Sequence, residues 1–293
     1  MSGSQAQSRG VLDPVAARAR LSLALHEPAA ELAGVVDRHW VVRWDLNGRE
    51  PYVQDVLPHP CVNLAFEPGR SGVFGIPTRR FRRELAGAGA ALGTRLRPGA
   101  LWLLSDLEAW QLTDAVCSMG EVLGPAAEEL EREVLSYGDI ADGVSAVESF
   151  LRRRLQPLEP GARLVQQVID GMLATPHDTT VAQLAARHGV VPRTLQRLFR
   201  RYVGVGPKWV LQRYRMHEAA ERMLMDPDVD LPRLALELGY ADQAHFGNDF
   251  HARTGRTPAA YLRPARRRDP HLTVSVPSMP ACSWVPTGRR ARP

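Results

Sequence analysis

The pattern Phe199-x4-Gly204-x2-Pro207 recurs as Phe250-x4-Gly255-x2-Pro258, with every matched residue displaced by 51 positions. An offset of this kind means two copies of one small unit. A Leu-Ala pair precedes each copy, Leu184-Ala185 and Leu234-Ala235, followed by Gly189 and Gly239 after a run readable as a short helix. The order is helix, tight turn, helix. In such a unit the second helix stands proud of the body, and its outer side chains can enter a DNA major groove.

In the first unit, Thr179 or Thr180 can cap a helix running to about His188. Gly189 supplies the turn, and Pro192 suits a first helical position because its missing N–H is unneeded there. Leu195, Leu198, Phe199 and Tyr202 then share one face, while Arg193, Gln196, Arg197, Arg200 and Arg201 share the other. Arg reads guanine bidentately and Gln suits adenine, so the second set has base-reading chemistry; a solvated amphipathic helix is the plainer reading. The second unit runs from Leu231 to Leu238, turns at Gly239-Tyr240, and continues from about Asp242 to Arg253 around Phe246 and Phe250. Gln243, Ala244, His245 and Asn248 fall on or beside its outer face.

Residues 192–201 hold four arginines and no acid, whereas 242–253 hold Asp242 and Asp249 against Arg253. The first unit should therefore anchor and the second tune. Pro207 to about Met225 reads as a connecting rod with Val210, Tyr214, His217, Ala220 and Leu224 on one stripe, and His217 is expected to be packed rather than a ligand. A rigid rod matters because two recognition helices reach successive major grooves only when held about 34 Å apart.

Charge sits with the repeat. Residues 178–293 carry 19 basic against 10 acidic side chains and residues 1–177 carry 18 against 22, which gives +9 and −4. Clustered cations suit a polyanion through counterion release. The basic residues are all Arg except Lys208, so codon bias offers a bland source. Cys61, Cys117 and Cys282 are far apart with no C-x-x-C pair, which argues against a disulfide framework or structural zinc. No apolar run is long enough for a bilayer and Met1–Gly10 lacks an apolar signal core, so a cytoplasmic protein is expected, with no metal and no cofactor.

From about Val35 to Leu112 the chain has short β-branched and aromatic runs separated by Gly and Pro: Trp40–Trp44, Tyr52–Leu57, Val62–Phe66, Gly72–Ile76 and Leu101–Leu104. These predict strands. Helical spacing follows over Leu123–Leu135, Val144–Leu155 and Ala162–Leu173. The expected fold class is α+β: a β-rich N-terminal domain followed by helices, then an all-α domain with two helix-turn-helix units joined by a long helix. The divisions are 1–20 poorly ordered, 21–158 a sensor-type domain, 159–264 the double helix-turn-helix domain and 265–293 a Pro/Arg-rich disordered tail. The acidic face Glu128-Glu129, Glu131 and Glu133 reads as solvated, and the helices near 123–155 leave a homodimer contact open.

The two units, the joining helix and the closing Gly255-x-Thr257-Pro258-x2-Tyr261 together resemble the DNA-binding domain of AraC/XylS-type transcription regulators over about residues 163–263. The resemblance implies a bacterial DNA-binding regulator, activator or repressor, whose two recognition helices enter adjacent major-groove segments of a promoter beside RNA polymerase. Carried over by position, base contacts come from Arg193, Thr194, Gln196 and Arg197 in the first unit and Gln243, Ala244, His245 and Asn248 in the second, with Arg200 and Arg201 nearer phosphate. Val191 departs from the usual capping Ser, at a cost of about 1 kcal/mol, and Asn248 from a frequent Arg.

Leu57-Pro58-x2-Cys61-Val62-Asn63-Leu64, Arg97-Pro98-Gly99-Ala100 and Leu112-Thr113-Asp114 resemble an uncharacterised sensing domain of β-then-helix type. A cupin-like barrel holding a small-molecule effector is the expectation. Trp40, Trp44, Trp102 and Trp110 are expected in core packing rather than around a pocket, and His39, His59, Cys61 and Cys117 lack the paired spacing of a metal site.

Other classes fare worse. A DNA-repair alkyl acceptor needs a four-cysteine zinc cluster that is missing, and neither G-x-S-x-G nor H-E-x-x-H marks a hydrolase. An interaction scaffold using the helical repeat is the main alternative, and steep salt dependence of DNA binding separates the two.

Overall fold

A computed structural model of the chain describes residues 10–174 and 180–263. Its N-terminal half is built on an antiparallel sheet in the order β1-β2-β7-β4-β5-β8, with β1 Leu21–His26, β2 Val36–Asp45, β4 Asn63–Phe66, β5 Gly72–Phe74, β7 Ala88–Leu96 and β8 Val116–Cys117. A separate ribbon pairs β3 Tyr52–Val56 with β6 Phe81–Leu85. Alternation along β2 decides what each face of the sheet meets. His39 and Val41 turn into a core with the helices, whereas Arg38, Trp40, Val42 and Trp44 turn toward the ribbon.

The helix-facing core joins Val41, Leu64, Phe66, Val73 and Leu92 of the sheet to Leu130, Val147 and Phe150. These last residues belong to α4 Pro125–Ser136, which follows the short helix α3 Met119–Leu123, and to α5 Ile140–Arg152. With one face buried, the other is left to enclose a cavity against the ribbon. The β-rich-then-helical order matches expectation, with exceptions that have physical causes. Leu101–Leu104, read as a strand, is a single turn of helix, α2. Leu101, Leu103 and Leu104 are all buried, so the run carries no two-sided alternation to mark it as a strand.

β1, β6, β7 and the two-residue β8 escaped prediction. β7 is Ala- and Gly-rich because its glycines face the indoles of β2: Gly93 pairs with Trp40 and Gly89 with Trp44. A Cβ at these positions would fall 2.0 Å and 2.4 Å from the respective rings. The large side chains of one strand thus require the smallest on its neighbour, which lowers β propensity where a strand is present.

Residues 10–20, expected to be poorly ordered, are folded. Asp13 caps α1 Pro14–Arg18, Val11 bridges to Val56, and Leu12 is buried in the core of the second helix-turn-helix unit. That burial is what orders the segment. Residues 1–9 and the expected tail 265–293 lie outside the described residues.

The C-terminal half is helical: α6 Pro160–Ala174, α7 Val181–Arg187, α8 Pro192–Tyr202, α9 Pro207–Met225, α10 Leu231–Glu237, α11 Gln243–Thr254 and α12 Pro258–Leu262. Gly189 and Gly239 adopt φ of 65° and 77° in the two tight turns, a left-handed conformation that a side chain resists. The rod α9 is buried on more than one side. Arg213, Met216 and Ala219 are enclosed along with Val210, Tyr214, His217 and Ala220, while Leu224 of the expected stripe is exposed.

Candidate nucleic-acid interface

The apolar faces of α8 and α11 are spent in separate cores. Leu195, Phe199 and Tyr202 pack with α6 and α9, and Phe246 and Phe250 pack with Tyr261 and the far end of α9. What remains outside is the predicted set: Arg193, Gln196 and Arg197 on α8 and Gln243, Ala244, His245 and Asn248 on α11 are exposed, with Thr194 half-buried. Local capping holds these helices in place. Thr180 and Gln183 form a capping box on α7, and Asp242 accepts the His245 N–H at 2.7 Å to start α11. Val191 begins α8 without a side-chain cap and is 62% exposed, as the departure from Ser predicts.

The arginines of α8 divide. Arg193 and Arg197 make no ion pair among the described residues, whereas Arg200 and Arg201 reach back to the N-terminal domain. Arg200 lies over the Trp110 ring at 4.9 Å and Arg201 over Trp102 at 4.3 Å. Arg201 also sits 3.5 Å from Glu159 and 3.9 Å from Glu108. The two positions expected nearer phosphate are therefore occupied by the protein's own aromatic and acidic groups. On α11, Asp249 does not project as a bare charge: it accepts from Arg253 Nε and from the Tyr240 hydroxyl, each at 2.8 Å.

The motifs singled out in the N-terminal domain turn out to grip the helical half. Arg97 donates to both oxygens of Asp170 at 2.9 Å, and the Gly99 N–H donates to the Tyr202 carbonyl at 3.1 Å. Thr113 Oγ1 donates to the Gly204 carbonyl at 3.1 Å. Asp114 accepts the backbone N–H and the hydroxyl of Thr78, each at 2.6 Å, and the Thr78 carbonyl accepts from Arg213 Nη2 at 2.9 Å. Burial drives the Arg213 guanidinium down to about 9, still a cation at neutral pH. Pro58 accepts from His217 Nε2 at 3.3 Å, and His217 is a packed histidine, as expected.

The tryptophans meet the expected core packing only in part: Trp44 and Trp102 pack against hydrophobic cores, and all four have a further place. Trp40 and Trp44 line the cavity between sheet and ribbon, which has a volume of about 280 Å³, and Trp102 and Trp110 lie at the contact with α8. The alternation of β2 and of Leu21-x-Leu23-x-Leu25, whose three leucines also line the cavity, was the available signal for it. His39, His59, Cys61 and Cys117 go to different places. His39 contacts Thr94 and Glu148 on the helix side, His59 stacks on His217, and both cysteines are buried, with burial pushing the Cys61 thiol up to about 12. No group of three or more His, Cys, Asp or Glu that would hold a metal ion occurs among the described residues. No described helix is long and apolar enough to cross a membrane.

Two helix-turn-helix units with outward polar faces define the class by fold, a double helix-turn-helix protein. Residues 184–264 match the family described as a helix-turn-helix domain, and residues 24–118 match a domain of unknown function, DUF6597. A helix-turn-helix domain thus lies in the C-terminal half and is preceded by this domain of unassigned role. A curated relative, the HTH-type transcriptional regulator GlxA of Rhizobium meliloti, is 32% identical over 128 residues, which is 43% of this chain. The chain covers 38% of that relative's length. Among solved structures, a probable AraC family transcriptional regulator from Rhodopseudomonas palustris is 27% identical, covering 36% of this chain and 99% of its own, with a TM-score of 0.32. An apo form of ToxT from Vibrio cholerae is 11% identical, covering 81% of this chain and 98% of its own, with a TM-score of 0.39.

Proposed function

We propose that the chain is a sequence-specific transcription regulator that places α8 and α11 in adjacent major-groove segments of a promoter, in the cytoplasm and beside RNA polymerase, under control of a small-molecule effector held in the N-terminal cavity. The observation that carries this is the division of each recognition helix. Its apolar face is buried, and Arg193, Gln196, Arg197, Gln243, His245 and Asn248 stand exposed on the other. Those side chains present the bidentate and amide groups that read base edges. Arg193, Gln196 and Arg197 with Thr194 are assigned to one half-element, and Gln243, Ala244, His245 and Asn248 to the other. Unequal faces favour a single asymmetric site per chain.

Selection of bound sequences followed by affinity titration across salt tests the reading. A groove binder shows a steep negative slope of log K against log salt, and Arg197→Ala weakens the selected site by about 1 to 3 kcal/mol while relaxing preference at one base pair. A flat salt dependence, or an unchanged Arg197→Ala footprint, sinks it.

A further inference from the structure

The cavity between the six-stranded sheet and the β3–β6 ribbon has a chemistry of its own, and assigning it a ligand rests on the proposal that the N-terminal domain holds an effector. Its walls are mainly apolar, with Leu23, Trp40, Val42, Trp44, Phe74 and Phe81 among them. The two indoles lie across Gly93 and Gly89, so the sheet gives up side chains on β7 to lay flat aromatic rings along the wall.

Four lining residues are arginines, Arg38, Arg70, Arg83 and Arg95, against one lining acid, Glu67. Glu67 is taken by Arg83 in an ion pair. Arg38 and Arg95 are paired across β2 and β7, where the register slips between Val36 and Arg38 and leaves Asp37 as the extra residue of a bulge. Both guanidiniums converge on one oxygen of that carboxylate, Asp37 Oδ2, with Nε distances of 3.0 Å from Arg38 and 2.6 Å from Arg95. Two cations thus share one anion, and the Nη groups of Arg38 make no hydrogen bond among the described residues. A second group is unspent. Gln54 is 8% exposed and lines the cavity; its Nε2 donates to the Asp55 carbonyl at 2.8 Å, while its buried Oε1 has no hydrogen-bond partner. A buried acceptor left alone is costly and marks the place of a donor.

We infer that the cavity binds an organic acid, with its carboxylate on Arg38 and Arg95, a flat apolar body along Trp40 and Trp44, and an O–H or N–H for Gln54 Oε1. A guanidinium pair presents parallel donors that suit a carboxylate, and the low-dielectric walls strengthen that attraction.

Calorimetric titration of the full chain with p-coumarate and decanoate, each beside its neutral amide, reads this without DNA. The acids bind and the amides bind about tenfold more weakly or less, since one charge-assisted contact is worth about that factor. Arg38→Gln weakens the acids by about tenfold and leaves the amides unchanged, and Ala91→Phe, which fills the cavity, removes both. If Arg38→Gln does not fold, Gln54→Glu serves instead, weakening the acids by charge repulsion and sparing decanamide. Equal affinity for acid and amide, binding of neither, or full acid affinity in the folded variant overturns the assignment. Promoter binding by the same samples is measured in parallel: intact promoter binding with no acid binding defeats the ligand class alone, whereas its loss defeats the regulator reading.

Discussion

His59, on the wall of the N-terminal cavity, stacks on His217 of the rod that joins the two helix-turn-helix units, with ring centroids 4.2 Å apart and planes 15° from parallel. One side of His59 faces the cavity and another meets α9, the helix that joins the two helix-turn-helix units. The domain contact is not an incidental one. Leu12 and Leu57 complete the core of the second unit and Ile76 that of the first, so neither unit is fully buried without the N-terminal half.

His217→Ala opens a void at this contact. The expected loss is about 2 kcal/mol, seen as a lower midpoint in thermal unfolding, with His217→Phe retaining most of the stability because a ring still fills the site. Equal midpoints for His217→Ala and the parent chain would show that the stack contributes nothing.

The grip of the N-terminal domain on Arg200 and Arg201 predicts a gain of DNA affinity when it is released. The double variant Glu108→Gln, Trp110→Ala frees Arg200, while Trp102 and Glu159 still hold Arg201. The salt slope of DNA binding should steepen by about 1, because each phosphate neutralised contributes about 0.9. An unchanged slope would mean that Arg200 never reaches phosphate.

Arg193 and Arg197 are the cations of α8 left outward, while on α11 Asp249 is already paired with Arg253. The first unit should still anchor, with Arg193→Ala costing more than Asn248→Ala on the selected site. Competition titration with both variants checks this; equal losses would give the units equal weight.

Val191→Ser supplies the missing cap of α8. Its hydroxyl can accept from the N–H three residues on, as Thr180 does for α7, and the expected gain is about 1 kcal/mol in chemical denaturation. The change lies outside the residues proposed to read bases, so binding preference should not move.

His39 gives the N-terminal domain an acid-sensitive side. Burial lowers its pKa more than the nearby Glu148 raises it, and Glu148 already accepts from the Ala29 N–H at 2.7 Å and from Arg152. The folded state therefore holds His39 neutral, with Nδ1 2.9 Å from Thr94 Oγ1. Below the unfolded value of about 6.5 the unfolded chain takes up a proton that the folded one refuses, so stability present above that pH is lost as pH falls toward the folded value. Thermal midpoints between about pH 7 and pH 5 should fall less in His39→Gln than in the parent chain.

The sequence alone determined the helical half. Its signals are local: 3.6-residue spacing, glycine turns, proline starts and caps, doubled at an offset of 51 residues, so the elements and their outward faces could be read without knowing what they touch. In the N-terminal half it marked the strands with strong β-branched and aromatic runs, and three motifs without a role. Tertiary structure decided the rest. β7 keeps Gly93 and Gly89 because Trp40 and Trp44 lie across them, α2 encloses all three of its leucines so that its pattern distinguishes neither strand nor helix, and Leu12 orders the N-terminal segment by entering a distant core. The cavity arginines, the latch from Asp114 through Thr78 to Arg213, and the capture of Arg201 by Glu108 and Glu159 join residues far apart in the chain. Such contacts depend on which surfaces meet after the elements have formed, and no local periodicity encodes that.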